Sequence, residues 1–375
     1  MKITAVRVFT LEGAPRSGEA LYETARGGLA PGQVTAHCGT FTQIESDEGI
    51  SGLALGGSNE VKELGQRLIG EDPLAVEYLW EKFFTSGYPH TRHLHALSTL
   101  DLALWDLIGH AKQEPVYRLL GGPCQQRIRA YAALLGFATE PEHAAERSRE
   151  WVAKGFSGLK WYLPYNEAAG EEGLRKNEAL VRAVRAAVGD DVDLMFDCIL
   201  ANSSGNSLLY AIKLARRLEP YRPTWLEEPL NPEDLESYVR LAKATTIPLA
   251  FGERLVTRWQ FKQALESGAA TVHQPELAST GGLTEMRKIA ALLAIYGLPL
   301  IPHANETSRN AIHLLFAQPP RIAPLAEWGI KINHNFQYFF KDFYEPINGH
   351  FELPTGVGFG YTIDEAKVLT RHELS

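Results

Sequence analysis

Hydrophobic and polar residues follow two different patterns along the chain, one in its first third and another in the remainder. In the first part, apolar and polar side chains alternate over three segments, which predicts an antiparallel meander of three strands. Helical periodicity follows, so this part is predicted to be an α+β domain spanning residues 1–125. The predicted strands are residues 2–11, 34–46 and 50–55, and the predicted helices start near Asn59, cover 73–84 and start near Ser98.

From about Arg129 onwards, short apolar segments alternate with helical patterns. Eight such repeats in about 200 residues predict a barrel of parallel strands surrounded by helices, because open doubly wound sheets have fewer strands. We assign this barrel to residues 126–330, and expect residues 331–375 to return to the first domain. The eight strand candidates are residues 130–135, 158–162, 192–196, 224–226, 248–251, 271–273, 299–301 and 324–326.

The composition of the chain limits the classes of protein to which it can belong. The chain has 375 residues, of which 45% are hydrophobic, so it can bury a large core and is neither disordered nor fibrous. Its net charge of −8 and the lack of a basic run argue against nucleic acid as a partner. We find no membrane-spanning segment or signal peptide, and the three cysteines form no disulfide framework, so we expect a cytoplasmic protein.

Polar side chains stand at the predicted carboxyl ends of the barrel strands, where parallel strands bring them to one face. Each has an ordinary alternative when taken alone. An acidic residue after a strand is often a helix N-cap, a lysine can extend from a barrel rim, and a histidine can be a satisfied rim residue. One candidate per repeat favours a common site. The candidates are Lys160, Tyr162, Asp197, Glu227, Glu253, Glu276, His303 and Glu327.

Three of these candidates are carboxylates on successive strands, Asp197, Glu227 and Glu253. Anionic groups crowded on one face repel each other and lose hydration, so a divalent cation is their natural occupant. Oxygen ligands select a hard cation, which predicts Mg²⁺ as the cofactor.

The remaining candidates suggest acid–base chemistry next to a carboxylate. His303 is the predicted base, and Glu276 in the preceding repeat is placed to hydrogen-bond it and fix its tautomer. Lys160 would be a second cation at the substrate carboxylate, and Glu327 a further hydrogen-bonding group. If the β-carbon carries a hydroxyl, the protonated histidine can help it leave as water.

The same residues stand in motifs that resemble those of the enolase superfamily, mandelate racemase subgroup. Members of that superfamily use a Lys or His base together with Mg²⁺. The resemblance covers nearly the whole chain. It is carried by Lys160, Asp197, Trp225-Leu226-Glu227-Glu228-Pro229, Gly252-Glu253, Gln274-Pro275-Glu276, Gly281-Gly282-Leu283-Thr284-Glu285, Pro302-His303, Glu327-Trp328, residues 98–107 and residues 119–122.

This resemblance implies a modified TIM barrel, (β/α)₇β, with an α+β capping domain, and Mg²⁺ held by the three carboxylates. Residues 173–177 and 190–197 are most similar to acid-sugar dehydratases of the rhamnonate type. The implied function is elimination of water from a sugar acid to give a 2-keto-3-deoxy acid. The resemblance also implies a homo-oligomer, either a dimer or an octamer. Cap loops 18–37 and 88–93 would close over the substrate, with His37, Arg92 and Asn305 as expected substrate contacts.

Two positions depart from the family pattern. Racemases of the subgroup carry a second lysine where this chain has Tyr162, so one base remains and dehydration is favoured over racemisation. The usual aspartate of the histidine dyad is replaced by Glu276. Two alternatives therefore stay open: an epimerase or cycloisomerase using the same chemistry, and a relative that binds a sugar acid without catalysis.

Overall fold

The computed structural model describes residues 1–21, 23, 35–86, 91–198, 206–303 and 308–374. In the first domain, the alternating segments form an antiparallel sheet in the strand order β12-β1-β2-β3. Its buried face carries side chains such as Phe41, Ile44 and Leu11, which pack against the helices. The strands are β1 (Ile3–Pro15), β2 (Ala36–Ser46), β3 (Ser51–Leu55) and, from the end of the chain, β12 (Thr370–Glu373).

Four helices complete the first domain. Ser58 caps the first of them, since its side chain accepts a hydrogen bond from the Val61 amide. The third is the longest, and its buried residues Leu97, Leu100 and Leu104 belong to the main hydrophobic core, as the apolar periodicity predicts. The helices are α1 (Asn59–Gln66), α2 (Val76–Ser86), α3 (Thr91–Lys112) and α4 (Val116–Leu119).

The second part of the chain forms a parallel sheet in the order β10-β4-β5-β6-β7-β8-β9. A short antiparallel strand, β11 (His350–Glu352), adds to β4 from the C-terminal segment. The parallel strands are β4 (Arg127–Ala133), β5 (Gly158–Tyr162), β6 (Asp193–Asp197), β7 (Trp225–Glu227), β8 (Leu249–Phe251), β9 (Val272–His273) and β10 (Ala326–Gly329).

The predicted strand at residues 299–301 differs from the others. Within the described residues it makes one parallel bridge, between Leu300 and His273, rather than a strand. Pro299 and Pro302 flank the segment and lack the amide hydrogen that a strand ladder needs, which limits the pairing. Ile301 nevertheless donates its amide to the His273 carbonyl over 3.2 Å, so the chain runs alongside β9.

Alternate residues of the parallel strands fill the interior of the barrel, as expected for strands with a side-chain period of two. Tyr131 and Trp225 meet edge to face there, with ring centroids 5.5 Å apart. This small buried cluster lies directly beneath the strand ends that carry the candidate polar residues. Its members are Tyr131, Ala133, Met195, Trp225, Ala250, Val272, Ile301 and Leu325.

Helices follow the strands and cover their outer faces. The helices are α5 (Pro141–Ala153), α6 (Gly170–Val188), α7 (Leu208–Leu218), α8 (Leu235–Ala242), α9 (Thr257–Ser267), α10 (Leu277–Thr280), α11 (Gly282–Tyr296), α12 (Ser308–Phe316) and α13 (Ile330–Phe336).

Among the described residues, no helix is long and apolar enough to cross a membrane.

The first domain docks on the barrel through buried hydrogen bonds between α3 and the start of α11. The Asp101 carboxylate accepts the Thr284 amide at 2.9 Å and its hydroxyl at 2.5 Å. Ser98 accepts the Gly281 amide at 2.9 Å. These contacts give residues 98–107 and 281–285 a structural role, because they hold the cap over the carboxyl ends of the barrel strands.

Gly282 sits at the tightest point of this joint, which leads to a stability prediction. Its φ is +80°, and a Cβ there would lie 2.5 Å from the Asp101 carboxylate. Replacing Gly282 by alanine should lower the free energy of unfolding by about 2–4 kcal/mol, from backbone strain plus overpacking. Urea unfolding measures this loss. Gly297→Ala is the control, since Gly297 has φ +68° but no neighbour within 4 Å; an equal loss in both variants would contradict tight packing at the joint.

His273 gives a second stability prediction, with a defined pH dependence. Its ring is fully buried beside Phe251 and Phe261, and within the described part of the chain neither ring nitrogen has a hydrogen-bond partner. Burial lowers the pKa of His273 from 6.5 to about 4. The unfolded state therefore binds the proton first, so stability should fall as pH drops from about 6.5 towards 4.

A His273→Leu variant should be more stable than the parent by about 1–3 kcal/mol at neutral pH, because an unpaired polar ring is replaced by an apolar group. The gain should grow as pH falls to 5. Chemical denaturation at pH 5 and pH 8 measures both values. A gain that is identical at the two pH values would show that His273 does not titrate as the fold requires.

Candidate active site

The candidate polar residues are brought together because neighbouring strands of the barrel lie in register. Tyr162 pairs with Asp197, and Asp197 pairs with Glu227, at the carboxyl ends of β5, β6 and β7. Glu253 follows two residues after β8, the next strand in the sheet. The predicted meeting of distant residues at one end of the barrel is therefore present in the structure.

Lys160 lies at the centre of the group and joins two carboxylates. Its Nζ is 2.6 Å from Oε1 of Glu227 and 2.8 Å from Oε1 of Glu327, and all three side chains are at most 7% exposed. Burial lowers the pKa of Lys160, but the charges of Glu227 and Glu327 outweigh burial and raise the pKa well above its usual value. Lys160 is therefore a fixed cation of the site.

Glu227 is bound at both of its carboxylate oxygens. Its Oε1 accepts a hydrogen bond from the Lys160 ammonium. Its Oε2 accepts hydrogen bonds from Trp225 Nε1 at 3.0 Å and from Gln274 Nε2 at 2.8 Å. Burial raises the pKa of Glu227, but Lys160 and these donors more than compensate and lower the pKa. Glu227 is thus a permanent anion.

His303 and Glu276 form the dyad that the sequence predicts. His303 Nδ1 lies 2.9 Å from Oε2 of Glu276, whose other oxygen accepts the Ala278 amide at 3.0 Å and so caps α10. His303 Nε2 lies 3.2 Å from Oε2 of Glu253. Burial lowers the pKa of His303, but the charges of Glu253 and Glu276 raise it well above 6.5. With Nδ1 held by Glu276, a proton transfer would use Nε2, which must first leave Glu253.

A cavity of about 200 Å³ opens between Lys160 on one side and His303 on the other. Asp197 and Glu253 also line it, and its remaining walls are mostly apolar. The volume suits a small organic acid, and the convergence of polar groups on an apolar cavity is typical of a binding site. The lining residues are Ala133, Leu134, Leu135, Lys160, Trp161, Tyr162, Asp197, Glu253, Arg254, His303, Glu327, Gly329 and Ile332.

Asp197 provides the test of whether these residues suit a divalent cation. Burial and the charges of Glu227 and Glu253 raise the pKa of Asp197 well above its usual value, so the site lacks positive charge at this carboxylate. Within the described residues, however, the side chains are not arranged as a ready metal-binding group of three or more. Lys160 and His303 instead occupy oxygens of Glu227 and Glu253. The donor chemistry fits Mg²⁺, and its binding requires these ion pairs to open.

The other sequence-predicted residues lie in different places. Tyr162 lines the cavity, and its hydroxyl donates to the Phe137 carbonyl at 3.0 Å. His37 is stacked on Tyr338 with ring centroids 3.7 Å apart, and Arg92 is exposed near the start of α3; neither is among the residues lining the cavity. Asn305, and parts of the loops 18–37 and 88–93, lie outside the described residues.

Sequence reasoning missed three side chains that shape the site. Trp225 and Gln274 bind Glu227, and Arg254 lines the cavity beside Glu253. Trp225 and Gln274 stand within motifs used for the resemblance, each two residues before a candidate. Arg254 could have been recognised from its place in the sequence, because it is a cation directly after the predicted metal ligand Glu253.

Comparison with known proteins identifies the family. The model of the Enolase C-terminal domain-like family matches residues 143–367, and that of the Mandelate racemase / muconate lactonizing enzyme N-terminal domain matches residues 28–121. The chain belongs to the enolase superfamily. Members of the enolase superfamily typically use Mg²⁺, in agreement with the donor chemistry of the three carboxylates.

Individual relatives from the enolase superfamily are similar to most or all of this chain. An arabinonate dehydratase of Saccharolobus solfataricus is 31% identical over 336 residues, covering 86% of this chain and 87% of that protein. The 3,6-anhydro-D-galactonate cycloisomerase of Zobellia galactanivorans has a TM-score of 0.81 at 27% identity over 98% of each chain. An enolase-superfamily member from Salmonella Typhimurium has a TM-score of 0.83 at 26% identity over 100% of both. These likenesses confirm the predicted fold class.

Proposed function

We propose that this enolase-superfamily protein is a Mg²⁺-dependent dehydratase of sugar acids, which removes the proton on C2 and the hydroxyl on C3 to give a 2-keto-3-deoxy acid. The main support is the His303–Glu276 dyad, which faces Lys160 and Glu327 in one cavity. The similarity to an arabinonate dehydratase agrees with this reaction class. A sugar acid of five or six carbons suits the cavity of about 200 Å³.

Each residue of the site has a separate role in the proposed reaction. When bound, Mg²⁺ would supply electrostatic stabilisation to the substrate carboxylate as charge develops on it. When Glu253 holds the cation, its charge would no longer raise the pKa of His303, so the neutral Nε2 can take the C2 proton. Glu276 holds Nδ1 and keeps the tautomer in place. Lys160 turns its ammonium to the substrate carboxylate, and Glu327 accepts hydrogen bonds. The protonated His303 then donates to the leaving C3 hydroxyl, which departs as water. The enol that remains loses its O2 proton and gains a proton at C3 to give the 2-keto-3-deoxy acid.

Tyr162 supports dehydration over racemisation. Racemisation needs a base on each face of the substrate, and the position of the second family lysine holds a tyrosine whose hydroxyl donates to the Phe137 carbonyl. A phenol with a usual pKa near 10 is a poor base at neutral pH. One histidine can serve both the proton removal and the loss of hydroxide.

The direct test is to incubate the protein with Mg²⁺ and a panel of aldonates and aldarates that includes both arabinonate enantiomers. Formation of a 2-keto-3-deoxy acid, measured with semicarbazide, is the expected result. The absence of this product across a broad panel would contradict the proposal.

A cycloisomerase is the second candidate, because the Zobellia galactanivorans relative carries that activity. The panel therefore includes 3,6-anhydro-D-galactonate, and turnover in ²H₂O is followed by NMR. Ring rearrangement would select this candidate, whereas deuterium at C2 of recovered substrate without loss of water would select an epimerase that uses the same chemistry. Tight sugar-acid binding without any proton exchange would indicate a binding protein.

A further inference from the structure

The active-site cavity has one corner where two neighbouring strands end. Ala133 at the end of β4 pairs with Gly329 at the end of β10, and both residues line the cavity. The two chain segments then separate, because β4 continues into a turn at residues 134–138 whereas β10 continues into α13. Leu135 in the turn and Ile332 in α13 still line the cavity. The ladder between β4 and β10 ends at the first pair, so contacts beyond it must hold the two wall segments in place.

Glu23 of the first domain bridges these two wall segments. On the side of the turn, its amide donates to the Gly136 carbonyl at 2.7 Å, and its Oε2 accepts the Ala138 amide at 3.0 Å. On the side of α13, its Oε1 lies 3.4 Å from Nζ of Lys331. Lys331 stands between Gly329 and Ile332 in the sequence, and both of those residues line the cavity. A single carboxylate therefore contacts both sides of the corner.

Lys331 is a buried cation whose polar partners come from the first domain. Its side chain is 2% exposed, and besides its ion pair with Glu23 its ammonium donates to the Leu21 carbonyl. Burial lowers the pKa of Lys331, and the charge of Glu23 opposes this shift. An ammonium group taken out of water needs such partners in order to remain charged. The ion pair therefore stabilises the docking of Leu21 and Glu23 on the barrel.

The contacts of Lys331 also lead to a residue of the cavity wall. Its ammonium lies over the Phe137 ring, 4.2 Å from the centroid. The Phe137 carbonyl accepts the Tyr162 hydroxyl at 3.0 Å, and Tyr162 lines the cavity. Arg147 of α5 is a more distant partner of Glu23, at 3.6 Å, and its side chain is 35% exposed, so water screens its charge. A change at Glu23 or Lys331 should therefore alter the turn and, through it, the cavity.

We propose that Glu23 and Lys331 are positioning residues, whose ion pair holds the wall segments at residues 134–138 and 329–332 in the arrangement that binds the sugar acid. This role rests on the proposed function, since it presumes that the cavity holds that substrate. Neither side chain is among the described residues that line the cavity. Loss of the pair should therefore affect substrate binding more than the chemical step, which depends on groups inside the cavity.

The test combines steady-state kinetics with hydrogen–deuterium exchange of the peptide that contains Ala138, measured by mass spectrometry. In Glu23→Ala the Ala138 amide loses its acceptor, so its exchange should become about tenfold faster. KM for the sugar acid should rise about tenfold, while kcat changes by less than about twofold. Lys331→Met should also raise KM. The double variant should have a KM no higher than that of Glu23→Ala, because both changes remove the same bridge.

Glu146→Ala, a change at an exposed residue of α5, is the matched control and should alter neither KM nor the exchange. Mn²⁺ binding without substrate, measured by electron paramagnetic resonance of the free ion, should be equal in the parent and all variants. Unchanged exchange of Ala138 in Glu23→Ala, or a KM that stays at the parent value, would overturn the proposed role. A joint loss of kcat and Mn²⁺ binding would also overturn it, since the pair would then support the fold in general.

The exchange experiment needs no turnover, so failure of the proposed function can be told apart from failure of this role. Parent protein that converts no sugar acid would refute the proposed function. The dissociation constant of the sugar acid, measured by calorimetry, would then take the place of KM in the comparison. Parent protein that neither converts nor binds a sugar acid would refute both.

Discussion

Replacing His303 by asparagine is expected to lower kcat for sugar-acid dehydration by about 10⁴-fold, near the upper end of what general acid–base catalysis contributes. The asparagine side chain retains a polar group near Glu276 but has nothing in place of Nε2, the nitrogen assigned to both proton transfers. Exchange of the C2 proton with ²H₂O should be lost together with turnover. Initial rates and NMR of the recovered substrate measure the two effects.

The variant His143→Asn controls for the change of side chain, because His143 is 66% exposed and lies 3.8 Å from Glu140 on the surface of α5. It should keep full activity. Thermal unfolding of both variants checks that the fold is retained. Proton exchange that continues in His303→Asn while dehydration stops would assign the C2 proton to another base and restrict His303 to the departure of water.

The sequence predicts the barrel, and the grouping of the candidate residues at one end of it, because both depend on the same repeat. Each βα unit brings one strand end to the common face, so Asp197, Glu227 and His303 could be assigned from their positions after short apolar segments. The strand pairing of Asp197 with Glu227 follows from that regularity. Where prolines flank the segment, as around Leu300, the repeat is weakened and the strand is reduced to a single bridge.

Apart from the contact of His303 with Glu276, the pairings between side chains could not be predicted from the repeat. The contact of Lys160 with Glu227 depends on how two strands stagger and on which rotamers fit beneath the cap. Arg254 lies 3.4 Å from Glu228, just after Gly252 with its φ of +137°, and neither feature follows from the repeat. The position of His37 near a cap loop predicts a substrate contact, but it does not reveal that the ring stacks on Tyr338. Such contacts are set by three-dimensional packing, which no local period encodes.

The second large effect is expected from Lys160→Met, which removes the cation between Glu227 and Glu327. Both carboxylates are at most 5% exposed and would lose the Lys160 ammonium. Breaking a buried ion pair in this way costs about 3–5 kcal/mol, so the free energy of unfolding in the absence of divalent cations should fall by that amount. Turnover should be lost as well, since Lys160 is assigned to the substrate carboxylate.

Magnesium should reverse much of this destabilisation. In the parent protein Mg²⁺ must displace the Lys160 ammonium from Glu227, whereas in Lys160→Met that oxygen is already free. A ligand that binds the folded state stabilises it in proportion to the logarithm of its affinity, so added Mg²⁺ should raise the melting temperature more in the variant than in the parent. Differential scanning calorimetry with EDTA or Mg²⁺ measures both shifts.

Lys176→Met is the matched control, because Lys176 is 51% exposed and lies 3.6 Å from Glu172 on the surface of α6. Its stability should change by less than about 0.5 kcal/mol, with or without Mg²⁺. An equal response of Lys160→Met and the parent to Mg²⁺ would mean that Glu227 is not a ligand of the cation. A larger response of the variant would show that the lysine and the cation compete for the same carboxylate, so that the ion pair must open before the site can work.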